Sequence, residues 1–158
     1  MENDIKKILI SENDIQNRVK KLADEINRDY KDKDLLLVCI LKGSIMFMGD
    51  LMKYINIYAK VEFMSVSSYG NSTVSTGSVR ILKDLDMSIE NKEILIVEDI
   101  IDTGITLKYV CNYLKGKGAN SVEIDTLLDK PSEKKVDIKS KYVGFEDANE
   151  FVIGYALD

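Results

Sequence analysis

The segment EILIVEDIIDTGITLKYV, residues 93–110, joins an apolar run to a cluster of carboxylates and then to a glycine. Glu98, Asp99 and Asp102 lie within five positions, directly after four apolar residues. Carboxylates are costly to bury unless something pairs with them. The segment therefore predicts a strand that ends at a ligand, followed by a turn into a helix.

The composition limits the class of protein. A chain of 158 residues is long enough for one domain with a sizeable core. Its net charge of −5 gives no broad attraction to nucleic acid or to acidic membranes. No apolar run reaches the roughly 20 residues that a membrane helix needs.

Cysteine and histidine usage narrows the chemistry. Cys39 and Cys111 lie inside apolar segments, and the N-terminus lacks the apolar centre of a signal peptide, so a reduced, cytoplasmic protein is predicted. The chain has no histidine, which excludes histidine-based catalytic triads and zinc sites with histidine ligands. Proton transfer must therefore use carboxylates, lysine, tyrosine or cysteine.

Hydrophobic periodicity predicts strands that alternate with helices, and hence an α/β fold with a mainly parallel central sheet flanked by helices. Small polar residues and glycines at 70–78 predict a loop. The predicted helices cover 11–29, 44–56 and 103–118, and the predicted strands cover 34–43, 61–69, 79–85, 93–99, 121–130, 142–146 and 151–156.

Polar residues follow four of the predicted strands. In parallel sheets, ligands bind beyond the carboxyl ends of the strands, so these residues are expected to share one edge of the sheet. They are Lys42 and Gly43, then Ser68 and Tyr69, then the acidic cluster, and finally Lys130.

Residues 102–106, DTGIT, are suited to binding a phosphate at the start of a helix. Unpaired N–H groups and the helix dipole favour an anion there, and Gly104 permits close approach of the backbone. Glu98 and Asp99 are suited to the hydroxyls of a ribose or to Mg²⁺. The alternative is that Asp102 merely caps the helix and that Glu98 and Asp99 are solvated residues at a strand end.

VEDIIDTG, residues 97–104, closely resembles the phosphoribosyl-pyrophosphate motif of type I phosphoribosyltransferases. The resemblance extends over nearly the whole chain. LKGS at 41–44 is similar to the family's pyrophosphate loop, in which the Leu–Lys bond can be cis, and SSYGNSTVSTG at 67–77 is similar to its flexible lid. LLDKP at 127–131 and VGFEDANEFVIGYALD at 143–158 resemble the purine-binding segments of the branch that uses hypoxanthine and guanine.

The resemblance implies a role for each matching residue. Asp102 is expected to be the general base, and Lys130 to donate to the 6-oxo group of a purine. Glu98 and Asp99 are expected to hold the ribose hydroxyls and, with Asp158, Mg²⁺. The other expected contacts are Thr103, Gly104 and Thr106 for the 5′-phosphate, Lys42 and Gly43 for pyrophosphate, Ser68 and Tyr69 for closure over the reacting centre, Ile100 and Phe151 for the two faces of the base, and the carbonyls of Val152 and Asp158 for its edge.

The implied activity is transfer of the 5-phosphoribosyl group from phosphoribosyl pyrophosphate to N9 of hypoxanthine or guanine, giving IMP or GMP and pyrophosphate. Residues 1–158 are expected to form a single domain with a small hood from the terminal segments. Family members continue past the position of Asp158, which implies a truncated C-terminal end. A homodimer or homotetramer is expected, with no nucleic-acid or membrane partner.

Two other functions remain possible at the level of sequence. One is a regulator with the same fold that senses phosphoribosyl pyrophosphate and binds nucleic acid. The other is a flavodoxin-like or receiver-type domain, in which carboxylates at strand ends hold Mg²⁺ for phosphorylation.

Overall fold

The computed structural model describes residues 10–68, 79–146 and Tyr155. Within them, six strands form one sheet in the order β3-β2-β1-β4-β5-β6. All neighbouring strands are parallel except β2 and β3, which are antiparallel. The strands are β1 Leu35–Leu41, β2 Ala59–Ser68, β3 Val79–Lys83, β4 Glu93–Ile101, β5 Ser121–Asp129 and β6 Tyr142–Glu146.

Three helices flank the sheet: α1 Glu12–Asp29, α2 Ile45–Met52 and α3 Ile105–Gly116. Ser11 caps α1, because its hydroxyl accepts a hydrogen bond from the Asp14 N–H at 3.1 Å. Helix α1 packs with α2 on one face of the sheet, and α3 packs on the other. The predicted α/β fold with a mainly parallel sheet is therefore confirmed.

The central strands are buried on both faces, which explains their continuous apolar runs. In β1, Leu35 and Leu37 face α1 and α2, whereas Leu36 and Val38 face α3. In β4, Leu95 faces α1 and α2, and Ile96 faces α3.

Several predicted boundaries were wrong. Strand β4 continues to Ile101 rather than ending at 99, so Glu98 and Asp99 lie inside the strand and not at its end. Helix α2 ends at Met52, earlier than predicted, and α3 begins at Ile105 rather than at 103. The predicted loop at 70–78, the strand at 151–156 and the hood lie outside the described residues, apart from Tyr155.

A buried carboxyl group lies in β5. Asp125 is fully buried, and neither of its carboxylate oxygens has a hydrogen-bond partner among the described residues. Burial raises the pKa of Asp125 well above its usual range, although the charge of Arg18 lowers it. Asp125 therefore carries a proton in the folded protein at pH values where an exposed aspartate is ionised.

Among residues 10–68 and 79–146, no helix combines the length and the apolar character that crossing a membrane requires.

Candidate active site

The carboxyl ends of four strands meet at one edge of the sheet. Strands β2, β1, β4 and β5 are consecutive neighbours, and all of their pairings are parallel. Neighbouring strands lie about 4.8 Å apart, so four successive strands span a width comparable to that of a nucleotide. The predicted residues that follow these strands are thereby brought to the same edge.

The acidic pair of β4 is held by its own backbone. The Asp99 N–H donates to Glu98 Oε1 at 3.0 Å, and the Ile100 N–H donates to Asp99 Oδ1 at 2.7 Å. Both side chains are half-buried rather than solvated. Burial, and then the neighbouring Asp99 carboxylate, raise the pKa of Glu98 well above its usual range. This pair of carboxylates would be stabilised by a cation or by hydroxyl donors.

Asp102 does not cap helix α3. The capping residue is Gly104, with φ of 81°, and the side chain of Asp102 is exposed. The capping alternative for Asp102 is therefore wrong, and its carboxylate is free to face a ligand. The Ile105 N–H reaches the Thr103 hydroxyl at 3.4 Å, and Thr106 is half-buried in the first turn. The first N–H groups of a helix lack intrahelical partners, so this turn can receive a phosphate.

Gly104 is required by both conformation and space. Its φ is in the left-handed region, which L side chains rarely adopt. A Cβ at this position would also lie 2.8 Å from Ile138 Cγ2 and 3.2 Å from Val136 Cγ2. The segment 134–140 therefore packs directly against residues 102–106, called the phosphate turn from here on. The sequence did not reveal this contact.

Lys130 lies in a turn that main-chain hydrogen bonds connect to the end of β4 and the phosphate turn. Its N–H donates to the Ile101 carbonyl at 3.0 Å, and the Lys135 N–H donates to the Thr103 carbonyl at 2.9 Å. Between them is a short 3-10 helix, Pro131–Glu133, which the proline after Lys130 could have indicated.

The pyrophosphate-loop candidates follow β1. The Leu41–Lys42 peptide bond is cis, as the resemblance implied. Lys42 is exposed and Gly43 is half-buried. Ser44 is fully buried, and its hydroxyl donates to the Ile40 carbonyl and contacts Cys39 Sγ at 3.2 Å. This anchoring of Ser44 fixes the end of the loop and was not predicted.

The remaining predicted residues divide into two groups. Ser68 is exposed at the end of β2, and Ile100 is half-buried in β4. Four predicted contacts lie outside the described residues: Tyr69, Phe151, Val152 and Asp158.

A family model described as the phosphoribosyl transferase domain matches residues 10–158. The chain belongs to the phosphoribosyltransferase family. The family prediction made from VEDIIDTG and its companion motifs is thus confirmed, and so is the type I phosphoribosyltransferase fold.

Named relatives agree with this assignment. The hypoxanthine-guanine phosphoribosyltransferase of Bacillus subtilis is 53% identical over 158 residues, which cover 100% of this chain and 88% of the relative. A Staphylococcus aureus protein with the same name is also 53% identical over the same coverage. The crystal structure of a hypoxanthine phosphoribosyltransferase from Staphylococcus aureus superposes with a TM-score of 0.97, at 53% identity, covering 100% of this chain and 86% of that one.

These relatives bear enzyme names, so this phosphoribosyltransferase is an enzyme of the transferase class. The regulator and the receiver-type domain gain no support from them.

Proposed function

We propose that this phosphoribosyltransferase moves the 5-phosphoribosyl group from phosphoribosyl pyrophosphate to N9 of hypoxanthine or guanine, giving IMP or GMP and pyrophosphate. The observation that carries the proposal is the meeting of four parallel strand ends at one edge of the sheet. The phosphate turn and the acidic pair belong to the end of β4, and Lys130 follows the neighbouring strand β5. These groups match the phosphate, the ribose and the 6-oxopurine of a nucleotide, in that order.

In the proposed reaction, the bond from purine N9 to C1′ of the ribose forms as the bond from C1′ to the pyrophosphate oxygen breaks. Asp102 accepts the proton that the imidazole ring of the purine releases. The phosphate turn, with Thr103, Gly104 and Thr106, holds the 5′-phosphate and so orients C1′ toward the base. Lys42 and Gly43 bind the departing pyrophosphate and stabilise its growing negative charge.

Lys130 determines which base is accepted. A lysine can only donate hydrogen bonds, so it pairs with a 6-oxo group and is mismatched to the 6-amino group of adenine. Four further groups are proposed for the base itself: Ile100 and Phe151 at its faces, and the carbonyls of Val152 and Asp158 at its edge. Ser68 and Tyr69 are proposed to exclude water from the reacting centre, which otherwise hydrolyses the activated sugar.

The residues present fit a magnesium ion. Mg²⁺ is usually bound by one or two carboxylates together with substrate phosphates, and the described residues contain no cluster of three or more ligating side chains. Glu98 and Asp99 supply two neighbouring carboxylates, and burial together with Asp99 raises the pKa of Glu98. We assign these two residues and Asp158 to the ion. When bound, Mg²⁺ neutralises charge on the pyrophosphate leaving group.

The Glu98→Gln variant should be more stable than the wild type in the absence of metal, by a margin that grows with pH. Glu98 has a higher pKa in the folded protein than in the unfolded chain, so the protonated side chain stabilises the fold at low pH. This stabilisation is complete below the unfolded pKa and is lost as pH rises through the folded pKa. Thermal melting between pH 4 and pH 8 measures the margin. Mg²⁺ with pyrophosphate should narrow it by stabilising the ionised wild type.

Glu93→Gln is the matched control at the other end of β4. Hydrogen bonds from Ser121 and Asn120 lower the pKa of Glu93, so the wild-type residue stabilises the fold above its ordinary pKa and this variant should be the less stable at neutral pH. Equal pH dependence of the wild type and Glu98→Gln would contradict the raised pKa of Glu98.

The other features proposed for this enzyme concern its setting. Residues 1–158 form a single phosphoribosyltransferase domain in a reduced, cytoplasmic protein, consistent with two buried free thiols. It forms a homodimer or homotetramer, without nucleic-acid or membrane partners. The exposed face of α2 supports self-association, because Ile45, Met46 and Met52 are 46%, 50% and 47% exposed.

The activity is tested by incubating the chain with phosphoribosyl pyrophosphate, Mg²⁺ and, separately, hypoxanthine, guanine, xanthine and adenine. Nucleotide is expected from hypoxanthine or guanine and not from adenine. Absence of nucleotide with every base would overturn the proposed function.

Lys130→Met should lower kcat/KM for hypoxanthine by roughly tenfold to a hundredfold, because the 6-oxo group loses a charged hydrogen-bond donor. Lys139→Met, at an exposed lysine farther along the same segment, is the control and should match the wild type. An unchanged kcat/KM in Lys130→Met would remove this lysine from base recognition.

A further inference from the structure

The carboxylate of Asp50 joins three parts of the chain. Its Oδ2 accepts hydrogen bonds from Gln16 Nε2 of α1 at 2.9 Å and from the Tyr155 hydroxyl, and its Oδ1 accepts from Lys53 Nζ at 2.9 Å. The side chain is only 13% exposed. Hydrogen bonds to a carboxylate in a mostly buried place are the strong ones, so this junction resists separation.

Tyr155 is held at more than one point. Its hydroxyl also lies 3.3 Å from the carbonyl oxygen of Met46, and its ring packs against the core beneath α1 and α2. Burial, and then the hydrogen bond to Asp50, raise the pKa of Tyr155, so the hydroxyl keeps its proton and remains a donor. The backbone φ of 50° is uncommon for a residue other than glycine, which is consistent with a position fixed by these contacts.

The helix that Tyr155 contacts begins at the pyrophosphate loop. Met46 lies in the first turn of α2 and Asp50 in the second, while Ser44, the capping residue, directly follows Lys42 and Gly43. Along the chain, Tyr155 lies three residues after Val152 and three before Asp158. One side chain thus connects the segment assigned to the purine with the helix that carries the pyrophosphate loop.

We propose that the Asp50–Tyr155 contact is a positioning device that couples purine binding to pyrophosphate binding. It rests on the proposed function, because that function assigns the two segments to the two ligands. Tyr155 and Asp50 touch neither ligand in this scheme and act through the segments that they join. Because each ligand-binding segment is held in place through this contact, loosening it should weaken binding at both sites.

The test compares Tyr155→Phe with Tyr142→Phe. Each variant removes one hydroxyl from a tyrosine–aspartate hydrogen bond, but Tyr142 donates to Asp29 at 2.6 Å at the start of β6, away from the strand ends that form the site. Tyr155→Phe should raise KM for both hypoxanthine and phosphoribosyl pyrophosphate by about tenfold, the scale of one charge-assisted hydrogen bond. Tyr142→Phe should lower the melting temperature and leave both KM values unchanged.

Asp50→Asn provides a second, independent variant. It should raise both KM values, and its effect should shrink when Tyr155→Phe is already present, because the two residues act through one contact. Additive effects, a change in only one KM, or Tyr155→Phe kinetics equal to those of Tyr142→Phe at a temperature well below melting would each overturn the proposal.

A measurement that needs no activity separates this proposal from the proposed function. Hydrogen exchange of the Ile45 and Met48 amides, which donate to the Lys42 and Ser44 carbonyls at the start of α2, should become about tenfold faster in Tyr155→Phe and stay unchanged in Tyr142→Phe. If the wild type forms no nucleotide with any base, the proposed function fails and exchange alone decides whether Tyr155 holds α2. Unchanged exchange in Tyr155→Phe overturns the positioning role.

Discussion

Asp102→Asn is expected to lower kcat by about 10²- to 10⁴-fold, the range that general-base catalysis supplies. Asparagine has nearly the same shape as aspartate and can still accept a hydrogen bond, but it cannot take the proton that the purine releases. The side chain is exposed and does not cap α3, so the fold should not depend on its charge. Steady-state kinetics with hypoxanthine, together with a thermal melt, measure the two effects separately.

Asp24→Asn is the control for Asp102→Asn, since it makes the same chemical change at an exposed position on α1. It should leave kcat and the melting temperature as they are in the wild type. A wild-type kcat in Asp102→Asn would show that another group is the base. A large fall in the melting temperature would show that Asp102 has a structural role that its exposure does not indicate.

Gly104→Ala is expected to lower kcat/KM for phosphoribosyl pyrophosphate by about a hundredfold, the cost of misplacing a substrate by roughly 1 Å. The new Cβ would lie 2.8 Å from Ile138 Cγ2, so either the phosphate turn or the segment 134–140 must move. The left-handed backbone adds a cost of roughly 1–2 kcal/mol to folding. Kinetics at saturating base and a denaturation curve measure the two losses.

Gly118→Ala separates backbone strain from damage to the site. Gly118 also has a left-handed φ, of 93°, but it follows the end of α3, and the atom nearest to its Cβ would be Glu90 Cγ, at 3.3 Å. Gly118→Ala should therefore lose stability and keep its KM for phosphoribosyl pyrophosphate. If both variants lose only stability, Gly104 is needed for the turn and not for phosphate binding.

The sequence predicted the sheet and its functional edge because those features depend on local patterns. Continuous apolar runs identified the buried strands, and parallel strands place their carboxyl ends together without further information. The bounds of β4 were less predictable. The sequence predicts Glu98 and Asp99 as the last residues of the strand, but pairing with β5 continues the strand to Ile101.

Long-range contacts could not be predicted in the same way. The packing of Ile138 on Gly104 joins positions 34 residues apart, and the Asp50–Tyr155 hydrogen bond joins positions 105 apart. No periodicity encodes such pairs. The burial of Asp125 could not be predicted either. A carboxylate within a strand usually indicates an exposed face of the sheet, but α1 covers the face on which Asp125 lies.

The main-chain hydrogen bonds between the two ligand-binding turns have a consequence for nucleotide length. Ile101 and Thr103 accept from the N–H groups of Lys130 and Lys135, so the turn assigned to the purine is fixed at both ends to the turn assigned to the phosphate. The span between base and phosphate is therefore set by backbone atoms, which every residue type possesses. The main chain thus fixes the length of nucleotide that this site accepts.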